Sequence, residues 1–214
     1  MIEVVHLTKK YENKTVLDDV NLIFESGKVY GLVGPNGCGK TTLMRCVCGF
    51  TRPTSGHVIV LGKQIGRDCD FAPDTGIIIE TPGFLPKYSA RRNLSILAGT
   101  SGKASKQRID EVIRMVGLDP DEKKPVGKYS LGMRQRLGIA QAIMEDSQVL
   151  ILDEPFNGLD KDGQNDIHKL LQNQKNQGKV IILASHSASD ITQACDVVYE
   201  MIDGHLNLKY ATNE

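Results

Sequence analysis

No charge of either sign is in excess in this sequence: 26 basic residues stand against 26 acidic ones in 214, and no block of like charge occurs. Such a chain offers no basic stripe for a nucleic acid and no polybasic anchor for a membrane surface. Long hydrophobic runs are also missing. The apolar stretches VLIL (149–152) and VIILA (180–184) fall far short of the ~20 residues that cross a bilayer, so any membrane span in the working assembly is expected from another chain. The first residues, MIEVVHLTKKY, lack a basic segment followed by an apolar run, and no secretory leader is expected. Cysteine is sparse and odd in number, five in all. Without a leader these read as free thiols of a reducing, cytoplasmic compartment. Cys46 and Cys48 lie two apart in a helical stretch and point to different sides, so they do not form half of a metal site. Internal repeats and low-complexity linkers are absent too, and the length suits one well-buried core with room for an insertion.

What is present is a strand-and-helix order. IEVVHL (2–7), LDDVNLIF (17–24) and KVYGLVG (28–34) have strand character, the last apolar and bounded by glycine. A helix is expected from Lys40, with Leu43, Met44 and Val47 on one face. HVIVLG (57–62) and GIIIE (76–80) read as further strands. From about 89 to 144 the pattern is helical, in three segments at 90–99, 105–117 and 130–144, with Gly117 and Pro120 closing the second. Strand and helix then alternate: QVLILDE (148–154), a helix over about 161–177, KVIILAS (179–185), a short helix near Ser189, and DVVYEMI (196–202). Alternation of this kind predicts right-handed crossovers and an α/β domain whose mostly parallel sheet is covered on both faces. The helical block, about 85–145, is expected as an insertion between 1–84 and 146–214 of a single domain.

Three of the strands run into residues capable of chemistry, at the carboxyl ends where parallel α/β sheets bind ligands. The first leads into GPNGCGKTT: Gly34, Pro35, Asn36, Gly37, Cys38, Gly39, Lys40, Thr41 and Thr42. This fits G-x-x-x-x-G-K-[ST] between a strand and a helix, the context a P-loop requires. Its backbone N–H groups and helix amino terminus suit phosphates, with Lys40 reaching the β/γ-phosphates and the Thr41 hydroxyl on Mg²⁺. The second strand ends in LDEP. Asp153 can hold Mg²⁺ through water, and Glu154 can polarise an attacking water; the plainer role for both is to cap the following segment. The third strand ends at His186, structural on its own but a candidate γ-phosphate or water contact beside a P-loop.

A fourth stretch, KYSLGMRQRLGIAQAIM (128–144), looks like an anion-binding loop opening an amphipathic helix, yet it has no glycine pair. Ser130 is a good helix cap there. A free hydroxyl and backbone N–H groups at a helix start are also what a phosphate needs. The residues leave both roles open.

In this order the P-loop, LDEP, NGLD (157–160), His186 and the Ser130 segment resemble the ATP-binding subunit of an ABC transporter, over essentially all 214 residues. The resemblance implies a P-loop NTPase core with an N-terminal antiparallel β subdomain and an inserted helical subdomain. It implies ATP and Mg²⁺ as ligands, with Lys40, Glu154 and His186 as catalytic groups. Tyr11 falls where the family stacks an aromatic on adenine. NGLD, ending at Asp160, corresponds to the loop through which two ATPase subunits communicate. YSLGM (129–133) occupies the place of the family signature L-S-G-G-Q: Ser130 and Gly132 are retained, while Leu131 and Met133 depart. Glu80 stands where the family usually has glutamine near Mg²⁺; its plainer role is a solvated charge at a strand end. Glu-Thr-Pro at 80–82 together with YSLGMRQRLGIA is similar to the bacitracin-type branch of exporters. The resemblance thus implies a Mg²⁺-dependent ATPase on the inner face of the cell membrane, docked on separate transmembrane permease subunits. It should be paired with a second ATP-binding subunit and export a peptide antibiotic or similar amphipathic compound. A soluble ABC-type ATPase without a membrane partner is the alternative.

Overall fold

In a computed structural model, which describes residues 1–80, 82–186, 191 and 193–212, the strands form two sheets. The four-stranded sheet is antiparallel, in the order β2-β1-β4-β5, built from β1 (Ile2–Tyr11), β2 (Lys14–Phe24), β4 (Ser55–Val60) and β5 (Lys63–Gln64). The six-stranded sheet runs β10-β9-β3-β8-β7-β6. Its members are β3 (Lys28–Val33), β6 (Thr75–Ile78), β7 (Val149–Asp153), β8 (Val180–Ser185), β9 (Val197–Ile202) and β10 (His205–Ala211). All its pairings are parallel except that of β9 with β10.

Period-two alternation sorts the central strands between two cores. Leu150 and Leu152 of β7, with Ile181 and Leu183 of β8, face the helical side. Val149, Ile151, Val180 and Ile182 face the four-stranded sheet and α1 (Lys40–Cys48). Both faces are therefore covered, which is why these strands are apolar without interruption. On the first side lie α2 (Ala90–Ser101), α3 (Lys106–Met115), α4 (Leu131–Ile143) and α5 (Lys161–Asn176). Ser89, Ser105, Ser130 and Asp160 cap them, each side chain accepting a backbone N–H three residues on, as small oxygen-bearing residues do at helix starts.

The expected mostly parallel sheet and the helices between β6 and β7 are found. β1 extends past residue 7 to Tyr11, through irregular pairing with β2. β10 is an addition to the sequence reading. Asp203 (φ 46°) and Gly204 (φ 82°) turn the chain into it, and Asp-Gly is the residue pair that a two-residue hairpin with both φ positive favours. The short helix expected near Ser189 lies outside the described residues. Among the described residues no helix is long and apolar enough to cross a membrane.

Candidate nucleotide site

The carboxyl ends of β3, β7 and β8 lie side by side, with β8 in the middle. Register sets Val33 beside Ser185 and Asp153 beside Ala184, so the first strand's loop, the two acidic residues and His186 meet at one edge. Gly34–Gly39 bridge β3 to α1. A Cβ on Gly34 would lie 2.4 Å from the Met201 carbonyl, and one on Gly39 would lie 2.8 Å from that of Val16. The loop is thus pressed onto backbone beneath it. Gly37 differs: its φ is +79° and a Cβ would meet nothing within 4 Å, so its upper side is open. No side chain caps α1, which leaves the first N–H groups of a helix free to meet an anion.

Lys40 is buried, and its Nζ donates to the carbonyls of Gly34 at 2.7 Å and Pro35 at 3.1 Å. Within the loop the ammonium is held by carbonyl dipoles, with Asp153 acting on it only through space, so an anion in the loop meets a positive charge. Asn36, Thr41 and Thr42 line the same cleft, with Asp153 and Glu154 as its far wall. Cys38 sits differently from what its place beside Lys40 suggests. Its Sγ is 3.8 Å from Lys40 Nζ, but the thiol is buried and belongs to the apolar core that holds Leu43, Met44 and Met201.

The Thr41 hydroxyl donates to Asp153 Oδ2 at 2.8 Å. Burial pushes the Asp153 carboxyl above its usual range; the Thr41 bond opposes this, Glu154 adds repulsion, Lys40 attracts, and Glu80 repels. A hydroxyl and a carboxylate amid surplus negative charge form an oxygen donor set of the kind hard divalent cations take. Among the described residues no three His, Cys, Asp or Glu side chains are grouped so as to cage an ion alone. Mg²⁺ as a rule keeps waters and takes substrate phosphates in place of an all-protein shell. Glu80 itself is engaged by α1: its exposed carboxylate accepts from Arg45 Nη2 at 2.5 Å.

Glu154 has left-handed backbone, φ 51°, and every polar atom of it is engaged. Its N–H donates to the Ala184 carbonyl at 2.8 Å, and its carbonyl accepts from Gln135 Nε2 at 3.0 Å. Oε1 accepts from the His186 N–H at 2.9 Å and lies 2.8 Å from His186 Nδ1; Oε2 accepts from Ser185 Oγ at 3.1 Å. A carboxylate fixed by donors and open at the cleft suits a base that takes a proton from water. Gln135, Ser185 and Arg45 are additions to the sequence reading. Ser185 ends the same strand that leads to His186, a signal that was available; Gln135 and Arg45 reach their partners only through tertiary packing.

Ser130, Gly132 and Asp160 gather in a second cleft with Tyr129, Met133 and Gly158. There the Ser130 hydroxyl accepts from the Met133 N–H at 3.2 Å, as a cap. A Cβ on Gly132 would sit 2.6 Å from the Gly158 carbonyl, and one on Gly158 would sit 2.6 Å from Leu131 Cγ; the two loops are interlocked. The second cleft shares no residue with the P-loop cleft. Tyr11 lines neither. It ends β1, partly exposed, with Lys9 Nζ 4.6 Å from its ring centroid.

Comparisons with known proteins place the chain in a family. A family model described as ABC transporter matches residues 17–157. Over 206 residues the chain is 45% identical to YybJ of Bacillus subtilis, an uncharacterised ABC transporter ATP-binding protein, covering 96% of this chain and 94% of the relative. It is 42% identical to the bacitracin transport ATP-binding protein BcrA of Enterococcus faecalis, over 96% of this chain and 68% of that one. With SrtF of Streptococcus pyogenes, a lantibiotic transport ATP-binding protein, it shares 36% identity over 98% and 90%. Among solved structures, the dimeric ABC transporter cassette MJ0796 superposes with a TM-score of 0.89 at 20% identity, covering both chains fully.

Proposed function

Since the chain belongs to the ABC transporter family of ATP-binding proteins, we propose that it hydrolyses ATP to ADP and phosphate as a Mg²⁺-dependent subunit. It works on the inner face of the membrane, docked on separate transmembrane permease subunits. The loop N–H groups at 34–42 and Lys40 bind the phosphates, with Lys40 Nζ exchanging the Gly34 and Pro35 carbonyls for phosphate oxygens. Tyr11 stacks on the adenine. Thr41 and Asp153 would hold Mg²⁺, which when bound would neutralise charge on the transferred phosphoryl group. Glu154 takes the proton of the attacking water, and His186, paired with Glu154 Oε1, orients the γ-phosphate.

The observation that carries the assembly is the separation of the two clefts. Ser130 and Gly132 offer a phosphate a hydroxyl and backbone N–H groups at a helix start, yet with Asp160 they share no cleft with the P-loop of their own chain. Two copies placed head to tail bring each Ser130 loop to the partner's P-loop and restore one complete site twice. ATP closes such a pair and hydrolysis opens it, driving the permease. The names of BcrA and SrtF support export of a peptide antibiotic or a similar amphipathic compound.

Glu154→Gln tests the chemistry. The amide keeps the shape and cannot accept the proton, so turnover should fall about 10²–10⁴-fold while ATP still binds and holds a dimer visible by gel filtration. Near-normal turnover would remove Glu154 from the role. Purification from solubilised membranes should bring a permease chain along; a protein that arrives alone in the soluble fraction supports the soluble alternative.

A further inference from the structure

The pair formed by Arg45 and Glu80 has no part in the chemistry above. Arg45 stands four residues after Thr41 on α1, so the two share a helix face one turn apart. Glu80 follows the end of β6 with its backbone in the left-handed region, φ 63°, and its carboxylate accepts from Arg45 Nη2 at 2.5 Å. The side chains are 39% and 63% exposed, and exposed pairs add little to a fold. Their position matters more. The guanidinium is held on the same helix face as the Thr41 hydroxyl. The carboxylate acts on Asp153 through space, being one of the groups that raise it.

We propose that Arg45 is a positioning residue that competes with Mg²⁺ for the charge of Glu80. While the site holds no metal, the guanidinium occupies the carboxylate and offsets a negative charge that Lys40 alone does not balance. Mg²⁺ arriving with ATP draws on the same carboxylate, so part of its attraction is spent on displacing Arg45. The pair therefore sets how much Mg²⁺ the protein needs before it holds nucleotide tightly. This inference rests on the assignment of Gly34–Thr42 and Asp153 as an Mg²⁺–ATP site.

Displacement of a fluorescent ATP analogue by ATP, titrated against Mg²⁺ on the full chain, reads it without turnover. Arg45→Met should lower the Mg²⁺ midpoint by roughly two- to fivefold, the scale of a lost surface ion pair, without strengthening ATP binding in EDTA. Arg45→Lys keeps the charge without the planar fork and should fall between. In a Glu80→Gln background, Arg45→Met should change nothing. An unchanged midpoint in Arg45→Met overturns the proposal. So does the same shift with and without Glu80, which would make Arg45 a distant charge only. If the unaltered chain binds no ATP with or without Mg²⁺, the nucleotide assignment itself fails, a result distinct from either of these.

Discussion

At the scale of the residue, the site depends on where a few atoms point, and this was only partly legible in the sequence. Lys40, Thr41, Asp153 and Glu154 could be named because their motifs are contiguous and each follows an apolar strand. The direction of Cys38 could not. Two left-handed glycines flank it, Gly37 and Gly39, and their dihedrals turn its side chain into the core. The thiol is close to Lys40, as adjacency suggests, yet it is shielded. Iodoacetamide should therefore label Cys38 in the native protein much more slowly than a free model thiol, and MgATP should slow it further by holding the loop shut. Once labelled, the loop has no room for the adduct and should lose ATP binding. Mass spectrometry of timed samples checks this; labelling at the free-thiol rate, or full activity with Cys38 modified, would contradict it.

At the scale of the element, uninterrupted apolar runs for the strands and helical spacing for the helices were enough to place β3, β7, β8 and α2 to α5 within a few residues. Contacts between elements distant in sequence were not legible, because they depend on which strands become neighbours. The start of α4 illustrates the difference. Ser130 and Gly132 stand out in the sequence, whereas the tie from Gln135 to the Glu154 carbonyl and the seat of Leu131 over Gly158 arise from packing. Leu131, a departure from the family signature, thus has a structural place: it fills the space above a glycine of the next loop. Gln135 fixes the backbone of a residue whose left-handed conformation is unfavourable for a non-glycine side chain. Gln135→Leu should cost about 1 kcal/mol in unfolding free energy. It should also lower turnover by a larger factor than it lowers ATP affinity, since Glu154 is displaced and the P-loop is not. Denaturant titration with parallel binding and rate assays separates the two effects; equal turnover in the variant would show that Glu154 holds its place without α4.

At the scale of the whole molecule, one chain divides its phosphate-suited residues between two clefts, and a second copy is what the proposed function adds. The sequence hinted at this only through motif order, since no residue pattern states that Ser130 and Lys40 of the same chain lie apart. The most direct measurement counts nucleotide trapped in a mixed dimer. On a Glu154→Gln background, one chain carries Lys40→Ala and the other Ser130→Arg, each with its own affinity tag so that only mixed pairs are kept. If Ser130 acts across the dimer, both lesions fall on one site, and the other keeps an intact Lys40 and an intact Ser130. The account predicts one tightly held ATP per mixed dimer and none in either parent pair. If Ser130 served the P-loop of its own chain, every site would carry one lesion. A mixed dimer that forms normally and holds no ATP would contradict the account and leave Ser130 as a helix cap.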